Sequence, residues 1–210
     1  AFRSQPHLTW GFYGHRLALY RKTQPHQGFQ LLKQLAEQLN VPYFVFTSNV
    51  DGQFQKAGFD PKFIYECHGS IHHIQCLNAC TNEVETSDTL KPQINSDSCQ
   101  WLGNLPKCLE CGGLMRPNIL MFNDATWIST QSDQQDKRLK KWLNQYRSPL
   151  VIEIGAGTAI PSVRMFSEQF SPHLLRINPR EAKVAKNGGM SLPYTALNAI
   201  SLIFNALITN

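Results

Sequence analysis

Long apolar runs are missing from this sequence. Nothing approaches the ~18 apolar residues of a membrane-spanning helix, and no basic segment leads into an apolar stretch, so neither a span nor a signal peptide is visible. Excess charge is also scarce. The formal +5 is spread over 210 residues. Its densest basic stretch, Lys137-Arg138-Leu139-Lys140-Lys141, falls on a predicted helix whose other face carries Leu139, Trp142, Leu143 and Tyr146. That pattern reads as a solvated helix face. No aromatic–basic interleaving occurs elsewhere, so direct nucleic-acid binding and membrane association are not expected. An initiating Met is absent as well: the chain opens at Ala1, inside what reads as the middle of a fold, as a fragment or processed chain would.

What is present is cysteine, six in all. Cys76-x3-Cys80 and Cys108-x2-Cys111 are two short-spaced pairs separated by a polar loop. Each pair suits a tight turn presenting two thiolates, and the insert lets the turns face each other around one tetrahedral zinc. The alternative is a set of ordinary buried or redox cysteines. Cys67 and Cys99 are left over, and Cys99 reads as a loop thiol or a spare ligand. Metal-spaced cysteines suit a reducing interior, so a cytoplasmic location is expected.

The remaining pattern is that of an α/β protein. After Pro25, apolar residues Phe29, Leu32, Leu35, Ala36 and Leu39 recur at helical spacing. Tyr43–Phe46 reads as a buried strand and Phe63–Glu66 as a second. The 133–147 segment reads as a helix, Leu150–Ile154 as a strand broken only by Glu153, and Leu174–Ile177 as another strand. A helix is expected near Pro161, and Leu197, Ile200, Ile203, Phe204 and Leu207 share one helical face. Strands alternating with helices imply a parallel, Rossmann-like sheet with helices on both faces. The expected division is a Rossmann-like domain from residues 1–71 and 122–210, with 1–22 assigned to a helical insert, and a zinc module at 72–121.

Ligands bind beyond the carboxyl ends of strands in such sheets. The polar turns at Thr47–Gly52, His68–Ser70, Gly155–Thr158 and Asn178 all follow strands and are expected to converge. Asn49 and Asp51 suit the grip of a carboxamide, although Asn-Val-Asp-Gly equally suits an Asx-turn. Gly155-Ala156-Gly157-Thr158 lets backbone approach a phosphate or ribose, and a tight strand-to-helix turn would also need glycine. Asn178 suits a ribose or a turn cap. His68, at a strand end, is the candidate general base, against the alternative of a satisfied core histidine.

Taken together, these residues resemble the sirtuin family. Thr47-Ser48-Asn49-Val50-Asp51-Gly52 with Ala57-Gly58 is similar to TQNIDGLHxxAG, and Glu66-Cys67-His68-Gly69-Ser70 to ELHGS. Cys111-Gly112-Gly113-Leu114-Met115-Arg116-Pro117 resembles CGGxLRP. Residues 118–124 stand where VVWFGE is usual, Gly155-Ala156-Gly157 where GTS is usual, and Ile177-Asn178 matches the ribose-binding IN. Trp10-Gly11-Phe12-Tyr13 to Arg16 resembles WxFYxxR. The resemblance implies NAD-dependent removal of an acyl group from lysine in a protein or peptide, releasing nicotinamide and O-acyl-ADP-ribose. It implies His68 as the catalytic base, with Ser48, Asn49, Asp51, Gly155, Gly157 and Asn178 on NAD. Ile119, Met121, Phe122 and Asn123 would meet the acyl-lysine. Cys76, Cys80, Cys108 and Cys111 would hold one structural zinc.

Departures accompany the likeness. Ser48 replaces Gln, Gln53-Phe54 replaces Leu-His, Asn123-Asp124 replaces Gly-Glu, and Ala156-Gly157 lacks the Thr-Ser hydroxyls. These mark a divergent bacterial-type branch. No GAGxSxxSGIPDFRG segment occurs, so the expectation is a truncated chain that binds NAD poorly. NAD hydrolysis or ADP-ribosyl transfer on the same scaffold, and a non-catalytic zinc-stabilised binding module, are the alternatives.

Overall fold

The computed structural model describes residues 1–185 and 188–208. The chain forms two compact units. One comprises Ala1–Gln24, Ser48–Lys56 and Glu66–Asp136; the other comprises Pro25–Thr47, Ala57–Tyr65 and Lys137–Asn210. The unit holding the cysteines is therefore wider than the 72–121 module read from the sequence. It also takes in the N-terminal helix, the 48–56 turn and the 66–71 segment.

The frame of this first unit is an antiparallel sheet of β3 (Gly69–Cys76), β4 (Val84–Thr86) and β5 (Met115–Ile119), with β3 central. Helix α1 (Pro6–Lys22) starts with Pro at a position whose N–H has no helical partner to lose. It ends with Arg21 and Lys22 beside the negative end of the helix dipole. Its Trp10 is buried, donates from Nε1 to the Met115 carbonyl at 2.9 Å, and meets Trp101 edge-on. Phe2, Ile74, Cys76, Cys108 and Met115 complete this core. Truncating a tryptophan so placed costs roughly 3–5 kcal/mol. Gly11 permits the close packing, since a Cβ there would lie 1.8 Å from the Cys99 carbonyl oxygen.

The second unit is built on a parallel sheet, β6 (Val151–Ile154), β7 (Leu174–Ile177) and β8 (Met190–Leu192), in that order. The break in the apolar β6 pattern now has its cause. Glu153 pairs in register with Arg176 of β7, and both side chains are buried. Arg176 grips Glu153 through Nε at 2.6 Å and Nη2 at 2.9 Å, and Nη2 also reaches Glu168. Removing one partner of such a pair strands a buried charge, at a cost of about 3–5 kcal/mol.

Helix α2 (Gln27–Gln38) is capped by His26, whose Nδ1 accepts from the Gly28 N–H. It packs on α6 (Ala196–Ile208): a Cβ on Gly28 would stand 3.3 Å from Ile200 Cδ1, and Leu35 and Ile200 are both buried. The short strands β1 (Val45–Thr47) and β2 (Ile64–Glu66) pair with each other. Phe46 on β1 stacks on Phe166 of α5 (Ser162–Ser167), with ring centroids 4.1 Å apart.

The expected elements recur with shifted ends, because hydrogen bonding rather than hydrophobic pattern sets where an element stops. The strand read at 43–46 spans Val45–Thr47, and the helix read at 133–147 is α4, Thr130–Gln145. Among the described residues no helix is long and apolar enough to cross a membrane.

Candidate active site and metal centre

The four paired cysteines meet. All four Sγ atoms lie within 4.8 Å of one another, with Cys76 and Cys111 3.6 Å apart and Cys80 and Cys108 3.5 Å apart. Thiolates about 2.3 Å from a tetrahedral zinc stand roughly 3.8 Å from each other, so the donor set fits that ion. Two turns create the arrangement. Ala79, at φ 48°, donates its N–H to the Cys76 carbonyl, and Gly112, at φ 66°, donates to that of Cys108. Pairing of Cys76 with Met115 across the β3–β5 ladder brings the turns side by side. An ion held by all four thiolates would have no open coordination position. Cys99 is exposed and outside the cluster. Burial pushes the Cys67 thiol up to about 11, away from the thiolate form that a nucleophile needs.

In the same unit, His68 lies between β2 and β3, half-buried. Burial pulls its pKa below the usual 6.5, opposed by a hydrogen bond with the Ser48 backbone. The imidazole is therefore neutral at pH 7, the state a general base needs. That contact also ties His68 to the turn carrying Ser48, Asn49 and Asp51. The Asx-turn anticipated for this loop is real, since Asp51 Oδ1 accepts from the Gln53 N–H at 3.0 Å and caps α3 (Gln53–Lys56). The turn is braced from β3: Ile71 N–H donates to the Val50 carbonyl, and His72 Nε2 contacts the Asp51 carbonyl at 3.0 Å. Asn49 is exposed.

The 119–123 segment leaves β5 directly beside His68. Gly69 pairs with Ile119, and the Leu120 N–H donates to the His68 carbonyl. Met121 is half-buried, Phe122 is 87% exposed, and Asn123 adopts φ 55°. Asp124 anchors the loop. It pairs with buried Arg116 at 2.9 Å and accepts from the backbone N–H groups of Met121 and Thr126.

The other strand-end turns fall in the second unit. Gly155 adopts φ 69°, a left-handed conformation that favours glycine. Gly157 is exposed. Asn178 bonds locally through both ends of its side chain: Nδ2 donates one N–H to the Ala156 carbonyl, and Oδ1 accepts from the Arg180 and Glu181 N–H groups.

A family model described as the Sir2 family matches residues 1–146. The chain belongs to the Sir2 family. An NAD-dependent protein deacylase of Aquifex aeolicus is 26% identical over 209 residues, covering 99% of this chain and 79% of the relative. An NAD-dependent protein deacetylase of Saccharolobus solfataricus is 31% identical over 160 residues, covering 76% of this chain and 56% of the relative. The fold agrees with a solved Sir2 homologue in complex with NAD, at TM-score 0.71 and 22% identity, over 98% of this chain and 73% of that one. The parallel sheet with its flanking helices is thus the Rossmann-like part of a Sir2 fold.

Several buried polar contacts around the site escaped the sequence reading. Arg116 and Asp124 are eight positions apart and meet only because the loop folds back. Glu66, two residues before His68, is buried, and its Oε1 has no hydrogen-bond partner among the described residues. Burial raises its pKa, against hydrogen bonds from Gln55, Gln135 and Ser70. Buried Gln75 and Asn118 bond to each other at 2.8 Å, and the Ile128 N–H donates to the same Gln75 oxygen. The one available signal was a polar residue interrupting an apolar strand, as at Gln75.

Proposed function

We propose that this chain carries NAD-dependent deacylation of lysine in a protein or peptide, with His68 as its general base. The observation that carries the reading is the neutral His68 held against the Ser48–Asp51 turn, in a chain of the Sir2 family. When bound, NAD supplies an electrophilic ribose carbon with nicotinamide as the leaving group. The hydrogen bond to the Ser48 backbone orients the ring of His68, and a neutral imidazole carries one acceptor nitrogen for a ribose hydroxyl proton. Asn49 and Asp51 orient the nicotinamide carboxamide; Gln53 occupies Asp51 Oδ1, and the carboxylate retains further acceptor capacity. Ser48 contacts the ribose, while Gly155, Gly157 and Asn178 serve the ADP-ribose half. Ile119, Met121, Phe122 and Asn123 meet the acyl-lysine, since their segment is tied to His68 through Leu120. Cys76, Cys80, Cys108 and Cys111 hold a structural zinc that takes no part in the chemistry.

The test is nicotinamide release from NAD with and without an acyl-lysine peptide, in the chain and in His68→Ala. Peptide-dependent release, lowered about 10²–10⁴-fold by the substitution, supports deacylation. Release without peptide means NAD hydrolysis. Equal release by both proteins removes His68 from the mechanism.

A further inference from the structure

Ala156 and Gly157 lack the hydroxyls of a Gly-Thr-Ser turn, yet three donors hold the Ala156 carbonyl. Arg164 of α5, 7% exposed, donates to the Ala156 carbonyl from Nε at 3.0 Å and from Nη2 at 2.9 Å. Asn178 Nδ2 adds a third hydrogen bond to the same oxygen at 3.0 Å. Arg164 Nη2 also donates to the Glu181 carbonyl and pairs with the Glu181 carboxylate at 3.6 Å. That carboxylate in turn accepts from Thr158 N–H at 3.1 Å and Thr158 Oγ1 at 2.8 Å.

The consequence follows from peptide geometry. A carbonyl and the N–H of the next residue point in opposite directions across a trans peptide. With the Ala156 oxygen drawn towards Arg164 and Asn178, the Gly157 N–H is turned the other way. It makes no hydrogen bond among the described residues. A side chain on Gly157 would not be crowded, its nearest neighbour being Glu181 Oε2 at 3.7 Å. Gly157 is itself exposed, so its backbone donor lies at the surface.

We propose that Arg164 is the positioning residue of this turn. By holding the Ala156 carbonyl inward, it aims the Gly157 N–H outward as a donor to an oxygen of the ADP-ribose half of the dinucleotide. The inference rests on the NAD reading, and it moves the organising role from missing turn hydroxyls to a guanidinium behind the turn. Its planar fork can hold one oxygen through two N–H groups while pairing with Glu181, which an ammonium matches only in part.

The experiment titrates ADP-ribose and, separately, nicotinamide into the chain and its Arg164→Gln and Arg164→Lys variants. Arg164→Gln is expected to weaken ADP-ribose binding about tenfold, with nicotinamide binding unchanged and partial recovery in Arg164→Lys. In turnover the loss should fall on KM for NAD and leave kcat in place. A folded Arg164→Gln with wild-type ADP-ribose affinity overturns the proposal. If that variant does not fold, Arg164→Lys decides by the same comparison. If the wild-type chain fails to bind ADP-ribose, the NAD reading falls, and hydrogen exchange at Thr158 judges the positioning. Protection lost in either variant supports it, and protection equal to wild type removes it.

Discussion

The Leu120 N–H donates to the His68 carbonyl at 2.9 Å. This bond fastens the exit of β5 to the residue assigned the proton transfer, and the Gly69–Ile119 pairing extends it. Anything that displaces one strand displaces the other, so the geometry of the base and of the 119–123 segment is a single quantity.

Gly69 is where that coupling is most exposed to mutation. It adopts φ 75°, and a Cβ would stand 2.1 Å from the Asn118 carbonyl oxygen. Left-handed strain alone costs an alanine about 1–2 kcal/mol, and the backbone clash adds to it. Gly69→Ala is expected to lower the melting temperature and abolish deacylation, checked by thermal denaturation and peptide turnover. An active, equally stable variant would show that the strands part without consequence.

Asp124 stands where the related pattern has Glu, and its carboxylate neutralises Arg116 while holding the Met121 and Thr126 amides. Asp124→Asn keeps the shape and removes the charge. The uncompensated guanidinium should cost about 3–5 kcal/mol in chemical denaturation. Peptide affinity should weaken with it, because the loop carrying Met121 and Phe122 loses its anchor. A loss under ~0.5 kcal/mol would mean that Arg116 finds another partner.

Glu66 gives a pH signature. Burial raises its folded pKa above the ordinary 4.5. Protons are therefore bound more tightly in the folded chain, and stability is lost as pH rises from the unfolded pKa through the folded one. Glu66→Gln should melt with wild type near pH 4 and above it by pH 7, each kcal/mol appearing as about 2–4 °C. A gap that does not change between these pH values would detach the effect from ionisation.

His68 titrates in the opposite sense. Its pKa is lowered below 6.5 by burial, so the neutral base persists into mildly acidic solution. The acid limb of kcat/KM for the acyl peptide should turn over below pH 6.5. A turnover above that value would be falsifying for a desolvated His68 as the base.

Zinc removal should unfold the first unit. Cys76 and Cys108 are themselves part of the core with Trp10, Trp101 and Met115, so losing the ion frees buried thiolates to repel one another. Treatment with a strong chelator should release one zinc per chain and shift tryptophan fluorescence, with Cys111→Ser showing the same change. A chain isolated without zinc and indifferent to chelator would contradict the assignment.

The parts of this protein legible in sequence are those whose chemistry is local. A cysteine pair two or three residues apart makes its turn from its own backbone, and Asn-Val-Asp-Gly forms its Asx-turn the same way. His68 next to Gly69 signalled a strand end because the glycine conformation is a property of one residue. Glu153 was visible only as an interruption. Its partner Arg176 lies 23 residues on and meets it through the β6–β7 register, which hydrophobic pattern does not specify. The same holds for Arg164 on Ala156, Arg116 on Asp124 and Gln75 on Asn118.

The sequence by itself thus determined the α/β class, the candidate zinc ligands, the candidate base and the order of the strand-end turns, because spacing and residue type carry them. Tertiary structure alone decided which charges are buried in pairs, which carbonyls are pinned, and which loop lies beside His68. Those depend on strand register and on removal from water, and both come into existence only when the chain has folded.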